Sequence, residues 1–184
     1  MADLVTQAGA TAYLLIYSGA APANCAAAAT GTLLASLPCS ATFGTVTTGV
    51  LTANAITSAA AAASGTAGYW RLCTSSAGTT VVAQGNVYQT ATATTSAIST
   101  AVPTLQFATA PAVVNGQTVT GTGVPAGTYV ISGGGTTTLT LNNQVTVTSG
   151  ATITFGGDIS FNSTAFSSGQ TVSVSSMVLT ATGA

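Results

Sequence analysis

Hydroxyl and aliphatic side chains alternate one for one along several short stretches of this chain. In Thr171-Val172-Ser173-Val174-Ser175 the valines fall on one side of an extended backbone and the hydroxyls on the other. Thr138-Leu139-Thr140-Leu141 and Thr152-Ile153-Thr154-Phe155 repeat the pattern. A period of two suits a strand with one buried and one wet face; on a helix, residues sharing a face recur every three or four positions. Similar runs recur throughout, punctuated by Gly, Ser, Asn and Pro, as in sandwiches and barrels. Strands are predicted near Ala12–Tyr17, Thr32–Leu37, Gly49–Ile56, Ala67–Thr74 and Thr79–Val87. Later ones fall near Leu105–Ala108, Thr118–Gly121, Thr128–Ser132, Thr136–Leu141, Val145–Val147, Thr152–Phe155, Asp158–Phe161 and Gln170–Ala181. The expected fold is all-β, an antiparallel β-sandwich of Ig-like or jelly-roll-like kind.

Two Ala runs, Ala26–Ala29 and Ala59–Ala63, have high helix propensity but no large apolar stripe. They read as connections with at most one turn of helix. Between Thr90 and Thr104 the chain is low-complexity and reads as a linker or an exposed strand. From about Leu105 to Phe155 follows a compact β-module of its own, whose glycines at 121, 123 and 127 beside Pro125 demand tight turns.

Composition restricts the chemistry. In 184 residues there is no His, one basic side chain (Arg71) and two acidic ones (Asp3 and Asp158). General acid–base catalysis draws mainly on His, Glu and Lys, none of which occurs. Two distant Asp and three scattered Cys make no metal cluster. No enzyme, cofactor or metal is expected. One Arg cannot neutralise the phosphates of a nucleic acid or form a polybasic membrane site, so neither is an expected partner. With 2% charged residues and a net charge of −1, little electrostatic repulsion keeps copies apart, and association into an assembly is expected. No apolar run approaches the roughly 18–20 residues of a membrane span. The start Met1-Ala2-Asp3 has neither the basic region nor the apolar run of a secretory signal, which reads as synthesis in a cytoplasm without export.

Several phrases occur in a recognisable order. They are Leu15-Ile16-Tyr17-Ser18-Gly19-Ala20-Ala21-Pro22, Gly31-Thr32-Leu33-Leu34-Ala35, Phe43-Gly44 and Gly49-Val50-Leu51-Thr52-Ala53-Asn54. Then come Ala63-Ser64-Gly65-Thr66-Ala67-Gly68-Tyr69-Trp70-Arg71-Leu72, Gly85-Asn86-Val87, Asp158-Ile159-Ser160-Phe161-Asn162 and Gly169-Gln170-Thr171-Val172-Ser173-Val174. Together they resemble a family of small virion structural proteins of tailed bacteriophages, of the head-decoration or cement type. The likeness covers about residues 10–90 and 157–182. Roughly Tyr88–Gly157 departs from it, and resembles a module of phage tail and surface proteins through Gly121-Thr122-Gly123-Val124-Pro125-Ala126-Gly127-Thr128. The resemblance implies a virion-binding domain of residues 1–90 plus 157–184 and an inserted, outward-projecting β-module of residues 91–156. It implies a place on the outer surface of the head, the major capsid protein or other virion proteins as partners, and a trimer or dimer. It brings no catalytic residues.

Tyr13, Tyr17 and Tyr69 are candidate interface residues, since aromatic side chains dominate contact hot spots. Trp70, facing away from Tyr69 and Arg71 with Leu72, reads as core. Arg71 either pairs with Asp158, pinning the last strand to a central one, or faces solvent without a partner. Cys25, Cys39 and Cys73 read either as three buried thiols or as a Cys25–Cys39 bridge with Cys73 left in a strand. Two alternatives stand beside capsid decoration. One is a tail or tail-fibre protein with a host-recognition module. The other is a bacterial adhesin or fimbrial subunit, which needs an export signal.

Overall fold

The structure, a computed structural model, describes residues 1–157 and 159–180. It is nearly all β, with 49% strand and 4% helix, and every strand pairing is antiparallel. The chain divides into two compact units: Met1–Val87 with the C-terminal segment, and the intervening Tyr88–Gly157. Each has its own apolar core.

The first unit opens with a short helix, α1 (Ala2–Ala8), whose Leu4 and Val5 pack on the core together with the preceding Met1. Seven residues are too few for a periodic signal to be read from sequence. The strands are β1 (Tyr13–Ser18), β2 (Leu33–Pro38), β3 (Gly44–Thr47), β4 (Val50–Ala53), β5 (Ala59–Ala60), β6 (Gly65–Cys73) and β7 (Val81–Asn86). After the insertion come β14 (Ile159–Phe161), β15 (Ala165–Phe166), β16 (Thr171–Val172) and β17 (Val174–Thr180). One sheet runs β2-β1-β6, with β7 and β15 sharing the far side of β6. A second runs β14-β17-β4-β3, and β5 pairs with β16. Leu14 and Ile16 of β1, Trp70 and Leu72 of β6, Leu51 of β4 and Met177 of β17 meet in one core. Trp70 is buried as expected, its indole lying over Gly85 across the β6–β7 pair; a Cβ there would come within 2.7 Å of the ring.

Two local readings of the sequence need correction. Ala59–Ala60 is a strand, not a connection, because Thr171–Val172 offers it a ladder partner. Propensity yields to pairing there. The hairpin β3–β4 begins earlier than expected and turns through Thr48 and Gly49, with φ of 47° and 81°. Both residues are left-handed, as a two-residue turn matched to strand twist requires.

The inserted unit contains β8 (Ala91–Thr94), β9 (Ser99–Gln106), β10 (Thr118–Thr120), β11 (Val130–Ser132), β12 (Thr138–Val147) and β13 (Thr152–Gly156). The low-complexity stretch is therefore mostly strand, since its Ala and Thr residues pair with β12 and β13. Two three-stranded sheets, β10-β13-β8 and β11-β12-β9, share a core that includes Leu105, Phe107, Leu139, Leu141, Ile153 and Phe155. Bridges Thr118↔Tyr129 and Thr95↔Phe107 join the sheets along both edges, so the six strands form a ring whose edges are paired. The two predicted strands at 136–141 and 145–147 merge into β12 through a shift of register opposite Pro103, whose missing N–H suits a break in the ladder.

The glycine-rich phrase packs against that irregularity. The Gly123 carbonyl accepts the Thr146 N–H at 2.9 Å, and a Cβ on Gly123 would lie 1.8 Å from the Thr146 oxygen. Thr128 is buried with its Oγ1 donating to the Pro125 carbonyl at 2.7 Å. Asn142 accepts from the Tyr129 N–H at 2.7 Å and donates to the Gly127 carbonyl at 3.1 Å. Gly123, at φ 83°, thus has neither the space nor the backbone conformation for a side chain. Gly123→Ala is expected to cost roughly 3 kcal/mol or more in the inserted unit. Hydrogen exchange at Leu139 and Leu141 should accelerate, while the emission of Trp70, the sole Trp, keeps its unfolding midpoint.

Candidate functional site

Strand β6 is buried on both faces from Tyr69 to Cys73. Trp70 and Leu72 point into the core, so Tyr69, Arg71 and Cys73 point to the other side of the sheet. Register places Cys73 beside Tyr13, Arg71 beside Leu15 and Tyr69 beside Tyr17 on β1, with Gln84 of β7 opposite Arg71. The segment 19–32 lies over this second face and supplies backbone groups that hydrogen-bond Tyr69 and Arg71.

Arg71 is 3% exposed. Its Nη2 donates to the carbonyls of Ala27 at 2.7 Å and Asn24 at 3.4 Å and to Gln84 Oε1 at 3.0 Å. Gln84 Nε2 reaches on to the Pro22 carbonyl at 2.6 Å. Asn24 shapes the acceptors, because its Oδ1 takes the N–H groups of Ala26 and Ala27 at 3.0 and 2.9 Å. That local turn is why Ala26–Ala29 does not become a helix. At the other end of the segment, the Tyr69 hydroxyl donates to the Thr30 carbonyl and accepts the Thr30 N–H at 2.8 Å. Tyr17 stacks on Tyr69 with ring centroids 5.0 Å apart and planes 10° from parallel.

Between this strap and the turn at residues 77–81 lies a cleft of about 530 Å³, lined by Tyr17, Cys25, Arg71 and the alanines 26–29 among others. It is the candidate site. It brings together Tyr17, Arg71 and Cys25 of the sequence-derived candidates. Tyr13, half-buried, sits on the same face of β1 near its start. Tyr69 is not an interface residue: it is fully buried, its ring stacked and its hydroxyl committed to Thr30. A solvent-facing Arg71 is likewise overturned by its burial. Its proposed partner Asp158 lies outside the described residues.

All three cysteines are free thiols. Cys25 sits in the strap on one face of the sheet while Cys39 packs against the core on the other, so the Cys25–Cys39 bridge is not formed. Burial pushes the Cys39 thiol up to about 12 and raises Cys73; on Cys73 the Arg71 cation pulls back and Cys25 adds to the rise. Burial also raises Tyr17. Among the described residues no group of three or more His, Cys, Asp or Glu gathers as a metal site, and no helix is long and apolar enough to cross a membrane. The sequence pointed to Arg71 and Tyr17 individually. It did not reveal the strap, whose ordinary Ala, Pro and Asn residues carry backbone acceptors rather than side-chain signals.

No protein-family model, curated protein or solved structure matches the chain.

Removing the guanidinium leaves the strap's carbonyls unpaired. Arg71→Ala should lower the unfolding free energy by roughly 2–3 kcal/mol, against less than about 0.5 for exposed Asp3→Ala. Coincident denaturation midpoints for the two variants would refute the role given to Arg71. The pH dependence has a definite sign as well. A thiol whose folded pKa lies above its unfolded value of 9.0 stabilises the fold fully below that value and loses the contribution as pH rises towards about 12. Stability should therefore fall above pH 9, and Cys39→Val should flatten part of that fall in urea melts recorded across the range.

Proposed function

We propose that the chain is a virion structural protein that decorates the outer surface of a tailed-phage head, binds the major capsid protein and stabilises the shell. The observation that carries this reading is where the charge sits. The one basic side chain is buried under the strap, which leaves the amino terminus and Asp3 as the charged groups on the surface of the described residues. Such a surface, wetted mainly by Thr, Ser and Asn, has shape and hydrogen bonding with which to recognise a partner, and little else. The resemblance of its ordered phrases to head-decoration proteins supports the same reading, as does the absence of His, Lys and Glu.

In this reading the first unit is a two-layer antiparallel sandwich that seats on the shell as a trimer or dimer, and the outward-projecting insertion offers contact area to further partners. Among the described residues, four of the five large exposed hydrophobics, Ile98, Val102, Val114 and Ile131, belong to the insertion. Scattered apolar side chains are ordinary on a surface, but on one without charges they meet little electrostatic opposition to burial. The protein is made in the host cytoplasm and acts on the virion without enzymatic activity.

Antibody-labelled electron microscopy of particles tests the location. Labelling over the head, with a copy number comparable to that of the shell subunit, is the expected result. Labelling confined to the tail would replace this reading with a tail or tail-fibre role. Binding to purified shells should change little between low and high salt, because few charges are present to be screened. A steep loss of occupancy with added salt would contradict a contact built on hydroxyl and apolar surface.

A further inference from the structure

Among the described residues, Arg71 is a buried cation held only by neutral acceptors. Among the described residues no carboxylate pairs with it, and all three of its hydrogen bonds leave from Nη2. Nε is sealed from solvent without an acceptor. Nη1 also makes no hydrogen bond to a described residue, yet it is not among the sealed atoms, so it is the guanidinium nitrogen left open where Arg71 lines the cleft. A desolvated charge without a counter-ion is costly, and an anion arriving at Nη1 removes that cost. The Tyr17 hydroxyl lines the same cleft and is likewise neither sealed nor bonded to a described residue.

We infer that the cleft beneath residues 25–29 is a carboxylate-binding site, anchored by the Arg71 guanidinium with the Tyr17 hydroxyl as a second donor. One cation beside one neutral hydroxyl matches a single negative charge. A phosphate dianion would call for more positive charge than the chain possesses, since it has no Lys, no His and no second Arg. The sealed Nε excludes side-on docking, so the carboxylate meets the guanidinium end-on, and a charge-assisted hydrogen bond forms to a cation that is itself largely desolvated. The source of the carboxylate rests on the assembly reading: an Asp or Glu side chain of a neighbouring shell subunit, inserted beneath the strap. The site itself stands without that reading.

The sequence supplies an unusually direct test. Arg71 is the sole Arg, so its Nε–H resonance in a ¹⁵N spectrum of the intact protein needs no assignment by mutation. Titration with sodium acetate should displace that resonance saturably, whereas sodium chloride at matched ionic strength should leave it in place. Tyr17→Phe, which keeps the stacked ring, should weaken the acetate affinity about tenfold or more, the worth of a hydrogen bond to a charged acceptor. An Asp158→Asn variant should show the wild-type Arg71 resonance and the same titration.

No displacement by acetate, or an equal displacement by chloride, would overturn the site. So would a large displacement in Asp158→Asn, which would mark the chain's own carboxylate as the counter-ion. A blocked Gly-Asp-Gly peptide compared with Gly-Asn-Gly separates the sources. Displacement by the Asp peptide supports a protein side chain as occupant, while displacement by acetate alone supports the site and assigns it to a free small carboxylate. None of these results depends on particle labelling, so failure of the site and failure of the decoration reading are distinguishable.

Discussion

From Tyr69 to Cys73, strand β6 is dry on both faces, and most of the first unit is arranged to make that possible. One face is covered in the ordinary way, by the apolar side chains of a second sheet. The other carries Tyr69, Arg71 and Cys73, which apolar neighbours alone could not satisfy, because buried donors and a buried cation need acceptors. The cover on that side is consequently a length of irregular backbone rather than a third sheet. Irregular backbone has carbonyls to spare, and Asn24 turns two of them onto the guanidinium. Tyr69 and Arg71 thus act as clasps that hold residues 19–32 down.

The close approaches made by glycine follow from the same demand for cover. A Cβ at Gly68 would fall 1.9 Å from the Gly19 carbonyl oxygen, where the strap leaves β1. At Gly31, where it returns, a Cβ would fall 2.1 Å from the Ser18 oxygen. The strap begins and ends in positions that admit no side chain on the facing residue. Glycines at 31, 68 and 85 are three positions where a Cβ would collide with a neighbour. In this molecule they serve backbone approach and the seating of Trp70.

The insertion solves a different problem with the same ladder chemistry. A small sheet has two edges for every core it covers, and exposed edges invite unwanted pairing. With almost no charge available to discourage such pairing, closure of the strands into a ring is the remaining device. The entry and exit of the unit also meet: a Cβ at Gly157 would stand 3.3 Å from the Tyr88 nitrogen. A module whose ends adjoin can be spliced into a host loop without stretching it.

Strand character, the separate inserted module and the burial of Trp70 were legible in the linear pattern, because period-two alternation and glycine punctuation are local consequences of backbone geometry. So was the poverty of ionisable groups, which needs only counting. The fate of individual groups was not legible. Alternation put Tyr69 and Arg71 on one face but could not say whether that face was wet, since this depends on a loop whose own residues look featureless. Likewise Ala59–Ala60 became a strand, and Cys25 and Cys39 were parted by the thickness of a sheet. Those outcomes arise from pairings between residues far apart in the chain, and no local propensity records which distant partner will be there.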